Sequence, residues 1–178
     1  MSKVTVATVW LDGCSGCHMS FLDMDQRLID LAGKIELVYS PFVDSKILPE
    51  HVDLGIIEGS VSNEDDYKKA LKMRKSCKYI ISLGDCAING NIPAMRNKFS
   101  VRECFDRAYH ENVTEHPVDP VGEGVPKLLE KVVPVHQVIK VDFYVQGCPP
   151  SADTIYYVLS EILAGRTPDP TTVTRFGA

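Results

Sequence analysis

The stretch VTVATVWLDGCSGCH, residues 4–18, decides the fold. Residues 4–10 alternate β-branched and small side chains, the pattern of a buried strand. The run ends in a glycine-flanked Cys-x-x-Cys, Cys14 and Cys17. Beyond it Phe21, Met24, Leu28, Leu31 and Ala32 recur at helical spacing until Gly33 stops the helix. Strand, thiol-bearing turn and helix together make the first half of a βα unit. A thiol pair in such a turn serves a redox disulfide, half of a zinc site or an iron–sulfur cluster.

The same alternation continues downstream. Residues 35–40, 53–57, 78–83 and 141–145 read as further strands, closed by Pro41, Glu58-Gly59, Gly84-Asp85-Cys86 and Gly147-Cys148-Pro149-Pro150. Ser62-x-x-Asp65 reads as a capping box opening a helix through Arg74, and Ser100-x-x-Glu103 as the cap of a shorter one. Ser151 caps a last helix with an apolar stripe of Ile155, Val158, Leu159, Ile162 and Leu163. This order predicts an α/β fold, a flavodoxin-like open, mostly parallel sheet with helices on both faces, in a single domain over residues 1–178. Residues 91–138 carry prolines at 93, 117, 120, 126 and 134 with little regular pattern, longer than compact domains usually keep without a purpose.

Composition narrows the classes. Hydrophobic residues make up 44% of 178, ordinary for a globular chain, and the net charge of −5 gives no footprint for nucleic acid. The first residues lack a twin-arginine pair or signal-peptide cleavage pattern, and no apolar run approaches the roughly 20 residues that span a bilayer. A cytoplasmic chain without membrane insertion is expected, where thiols stay reduced and more often bind metal or do chemistry than form staples.

Six cysteines then need separate explanations. Ligands of open parallel sheets sit beyond the carboxyl ends of the strands. Cys14 and Cys17 follow the first expected strand, Cys86 the fourth and Cys148 the last, with Glu58 in the corresponding place after the third. These thiols are expected to converge, whereas Cys77 falls at the opposite edge and Cys104 inside a helix facing the core, both as small hydrophobes. One pair and two singletons on a domain with ample core favour a 4Fe–4S cluster over a zinc staple. A dithiol enzyme needs no Cys86 or Cys148 at that edge. His18 reads as a surface or packing residue, or as a donor to sulfur or a metal ligand. Trp10 and Asp12 read as core packing and turn formation, or as shaping the loop.

Gly13-Cys14-Ser15-Gly16-Cys17, Glu58-Gly59, Gly84-Asp85-Cys86-Ala87 and Gly147-Cys148-Pro149-Pro150, in this order, resemble the cluster-binding domain of nickel–iron hydrogenase small subunits. That domain is related to the 20 kDa-type subunit of NADH:quinone oxidoreductase, which carries adjacent cysteines where this chain has Cys-x-x-Cys. The chain has neither a twin-arginine signal nor a further cluster domain before Ala178, and so looks like the cytoplasmic, bidirectional NAD-reducing type. Membrane-bound energy-converting hydrogenases have a similarly short small subunit. The resemblance implies one 4Fe–4S cluster on Cys14, Cys17, Cys86 and Cys148, proximal to a NiFe centre on a large subunit that performs H₂ ⇌ 2H⁺ + 2e⁻. It implies diaphorase subunits with FMN and further Fe–S clusters, a docking role for residues 91–138, and no nickel site in this chain. Glu58 would either aid proton movement or anchor loop amides. The architecture permits an FMN in this chain too, but the loop that would cradle its phosphate is taken by the cysteines.

Overall fold

The computed structural model describes residues 3–174. Among the described residues seven strands are formed: β1 (Val4–Trp10), β2 (Ile35–Tyr39), β3 (Val52–Glu58), β4 (Val61–Asn63), β5 (Cys77–Leu83), β6 (Leu128–Val133) and β7 (Phe143–Val145). Five of them make a wholly parallel sheet in the order β2-β1-β3-β5-β7. The strand order reverses direction between β1 and β3, the switch point at which open α/β sheets bind ligands.

The helices are α1 (Gly16–Leu22), α2 (Gln26–Ala32), α3 (Glu64–Ser76), α4 (Asp85–Asn89), α5 (Val101–Phe105) and α6 (Ala152–Leu163). Both sheet faces are buried, which the pleat achieves by sending successive residues to opposite sides. Val6, Ile56 and Ile81 meet Phe21, Leu31, Ile155, Val158 and Leu159 of α1, α2 and α6. Ala7, Val9, Ile57 and Ile80 meet Ala70 and Met73 of α3 and Ala87 of α4 on the other face. Each fully buried valine, leucine, isoleucine, phenylalanine or methionine among them contributes about 1.5–3 kcal/mol, the alanines less.

Register sets where the loops begin. Trp10 lies opposite Glu58, Glu58 opposite Leu83, and Leu83 opposite Val145. Four strands therefore end in one row, and the segments carrying Cys14 and Cys17, Gly59, Cys86 and Cys148 all leave from it.

Three local expectations are corrected. The helix after the thiols is broken into α1 and α2, because the link at residues 23–25 turns Met24 into the core, 1% exposed, with Asp25 at a φ of 49°. Helical spacing survives the break because Met24 still points inward. The cap of α3 is Asn63, whose side chain accepts the amides of Asp65 and Asp66 at 2.9 Å each, and not Ser62. Ser62 belongs to β4, and its hydroxyl donates to Asp66 at 3.2 Å. The third correction concerns residues 91–138, which are more regular than expected. They contain α5, with its Ser100–Glu103 capping box, and β6, antiparallel to β4 in a second, two-stranded sheet.

Asp142 holds the start of β7 in place. It takes the Arg74 guanidinium at 2.7 Å and the Ile80 amide at 2.8 Å. Burial alone would raise its carboxyl, but Arg74 and the amide overcome this and hold it below the usual carboxylate range. The depressed value means that its stabilisation is present above pH ~4 and disappears as pH falls through the folded value. Asp142→Ala is expected to cost about 1–3 kcal/mol at neutral pH, with the difference from the unsubstituted chain shrinking in acid, as read by denaturant unfolding across pH.

Candidate metal centre

The loop after β1 is pinned to the loop after β3 from two sides. Leu11 donates to the Glu58 carbonyl at 2.9 Å, and Asp12 and Ser60 exchange backbone bonds at 3.0 and 2.7 Å. The backbone then enters α1 through Ser15 at a φ of 67°, and α1 carries Cys17 inward. The Trp10 ring is half exposed and donates to the Gly13 carbonyl at 3.3 Å. Asp12 acts through its backbone in this turn.

The loops after β5 and β7 are tied to each other in the same way. Gly84 donates to the Val145 carbonyl at 2.8 Å and Asp85 to the Gly147 carbonyl at 2.9 Å, while Gly147 donates to the Asp85 carboxylate at 2.9 Å. Gly84 sits at a φ of 82° directly against the Cys17 sulfur, so any side chain there would strike it. Ser20 of α1 closes the arrangement by donating to the Pro150 carbonyl at 2.5 Å.

Cys14, Cys17, Cys86 and Cys148 meet between these loops. All four are free thiols, Cys14 and Cys148 exposed, Cys86 half-buried and Cys17 buried. Burial first, then Glu58 and the other three thiols, push the Cys17 thiol far above the ordinary range. Cys86 is raised by burial and then by Cys148, against a lowering hydrogen bond from Asn91. Both thiols thus resist ionisation beside their neighbours. Among the described residues, no three His, Cys, Asp or Glu side chains close around the position of one metal ion.

The remaining cysteines stand apart. Cys77 lies at the opposite edge, 4% exposed, its thiol pushed up by burial to about 11. Cys104, expected to face the core, is half-buried on α5.

Glu58 is 2% exposed and accepts the amides of Cys17 at 3.2 Å and His18 at 2.9 Å. Its carboxylate also bonds the His18 ring Nδ1. His18 Nε2 meets the Thr8 hydroxyl at 3.0 Å, and Thr8 meets Ser40 at 2.8 Å. Buried polar groups persist where each has a partner, and this chain supplies one to every member. His18 is therefore neither a surface residue nor in reach of sulfur by its ring bonds. Sequence reasoning singled out His18, as a packing residue among other readings, but missed its partners Thr8 and Ser40. β1 carries two threonines, Thr5 and Thr8, and nothing in the sequence marks Thr8 as the partner of a histidine ten residues later. Thr8→Val keeps the strand shape but leaves His18 Nε2 unpaired and Ser40 with only the Phe42 amide at 3.3 Å. It is expected to cost about 1–3 kcal/mol in thermal unfolding, with Thr8→Ser close to the unsubstituted chain.

Comparison with known proteins agrees with this fold. The family model described as NADH ubiquinone oxidoreductase, 20 Kd subunit, matches residues 14–162. The chain is 41% identical to the NAD-reducing hydrogenase HoxS subunit delta of Cupriavidus necator, over 98% of this chain and 86% of that one. It is 38% identical to a subunit of the F420-non-reducing hydrogenase of Methanothermobacter marburgensis, over 92% of this chain but only 54% of the relative. A chain of a crystal structure of NAD+-reducing NiFe hydrogenase in the H2-reduced state superposes with a TM-score of 0.93 at 36% identity, covering 98% of this chain and 99% of that one. A NiFeSe hydrogenase from Dm. baculatum shares the fold, with a TM-score of 0.59 at 16% identity, covering 93% of this chain and 62% of that one. The chain belongs to the NADH ubiquinone oxidoreductase 20 Kd subunit family, in the branch of nickel–iron hydrogenase small subunits of the NAD-reducing type.

Proposed function

We propose that this chain is the electron-transfer small subunit of a cytoplasmic NAD-reducing nickel–iron hydrogenase. In this reading Cys14, Cys17, Cys86 and Cys148 hold one 4Fe–4S cluster, proximal to the NiFe centre of a separate large subunit. The observation that carries it is the meeting of four free thiols from three loops at the carboxyl edge of the sheet. Their chemistry fits the group: four free thiols and no competing disulfide. One Cys-x-x-Cys and two single cysteines, on a domain that buries an ample core without metal, suit a cluster better than a zinc staple.

When bound, such a cluster accepts and donates single electrons, here between the large subunit and diaphorase subunits with FMN and further clusters. The chain's own residues set the conditions. Glu58 and Gly84 fix the position of Cys17 between the loops after β3 and β5. Asn91 donates its side-chain amide to Cys148 Sγ at 3.2 Å. Segment 91–138 would dock the large subunit, since it exposes Ile92, Met95, Phe99, Val118 and Val121. Ile92 and Met95 follow directly from the turn over Cys86 and Cys148, so a partner seated there would exclude water from the exposed Cys148 thiol.

Anaerobic purification with the co-purifying partners, followed by iron, sulfide, nickel and zinc analysis, tests this reading. About four irons on this chain are expected, lost in Cys148→Ser and retained in Cys104→Ser, with nickel on a larger partner. Stoichiometric zinc without iron under strict exclusion of oxygen would overturn it in favour of a non-redox adaptor.

A further inference from the structure

Asn91 differs from the other residues around the thiols in its backbone. It follows Gly90, which ends α4 in the left-handed region at a φ of 87°, and is itself left-handed at a φ of 35°. Two successive left-handed residues reverse the chain over the helix that begins beside Cys86. A side chain at Gly90 would run into Ala94 at 2.8 Å, so the reversal is reserved to glycine at that point. The Asn91 backbone amide is then fixed by the Asn89 side chain, which accepts it at 2.9 Å. Non-glycine residues held in this region cost free energy and persist where the surroundings over-determine them. The consequence lies at the other end of the residue. Asn91 Nδ2 reaches Cys148 Sγ at 3.2 Å and Cys86 Sγ at 3.9 Å, spanning the loops after β5 and β7.

We propose that Asn91 is a positioning residue that tunes the redox group held by Cys86 and Cys148, its side-chain N–H bridging the two sulfurs and favouring the reduced state. This rests on the cluster reading given above. The physical reason is charge. Reduction adds an electron whose density is shared with the ligating sulfurs, and a donor aimed at them stabilises that state more than the oxidised one. Loss of one hydrogen bond to a charged acceptor is expected to lower the reduced-to-oxidised ratio at a fixed poise by about tenfold. Asparagine suits the place because it tolerates the left-handed backbone and ends in two donors. An aspartate of the same shape offers only acceptors and a negative charge. A structural clasp alone would be disturbed by either substitution without an ordered effect on potential.

The test uses the anaerobically purified complex of this chain with its large subunit, comparing unsubstituted protein with Asn91→Ala and Asn91→Asp. Iron and sulfide are measured first, then the midpoint potential by EPR-monitored titration. Both variants are expected to retain the cluster. Asn91→Ala should fall by about 59 mV, the one-electron equivalent of tenfold, and Asn91→Asp further. Unchanged potentials in cluster-bearing variants would overturn the inference while leaving the cluster reading intact. An iron-free unsubstituted chain would overturn both. Should the variants fail to load iron, the unsubstituted complex decides. Side-chain ¹⁵N-asparagine labelling should give a hyperfine coupling on the reduced cluster in pulsed EPR, and its absence would overturn the inference.

Discussion

The parallel register of the central sheet is the constraint on which the site depends. Trp10, Glu58, Leu83 and Val145 end four strands in one row, so segments up to 134 residues apart in numbering leave from neighbouring points, as Cys14 and Cys148 illustrate. No local sequence feature brings these cysteines together. Hydrophobic burial on both sheet faces holds the strands, the strands hold the row, and the row holds the thiols. A slip of one residue in any strand would exchange its two buried faces and move its loop, so the core's packing energy also enforces the site's geometry.

Polar bonds refine what burial places approximately. The loops after β1 and β3 brace each other through backbone pairs, those after β5 and β7 do the same, and Ser20 links the two sets through Pro150. Glu58 joins them from within by holding the amides of Cys17 and His18. A buried carboxylate is costly unless its lone pairs are used, and here two amides and an imidazole use them. The charge near Cys17 is negative, which is a penalty for thiolates alone and a favourable setting for a cationic group that they surround.

Fold class and thiol convergence were legible in the sequence because both follow from periodicity and punctuation. Strand-length apolar runs end in glycine-rich turns at 13–16, 59, 84 and 147, and cysteines sit in three of those turns. What was not legible depended on pairing or on three-dimensional reach. The β4–β6 ladder joins a three-residue strand to the segment LLEKVV, which does not alternate and lies among prolines. The break between α1 and α2 keeps the helical spacing of its apolar residues and so leaves no trace in the pattern. His18, Thr8 and Ser40 form one buried chain from three parts of the fold, and Asn91 acts across two loops. Single residues with partners that distant carry no local signature.

The most direct measurement is anomalous diffraction at the iron edge from crystals of the anaerobically purified complex. A compact iron signal bounded by the sulfurs of Cys14, Cys17, Cys86 and Cys148 is the expected result. No iron there, or a single peak at the zinc edge in its place, would contradict the assignment of this edge as an electron relay.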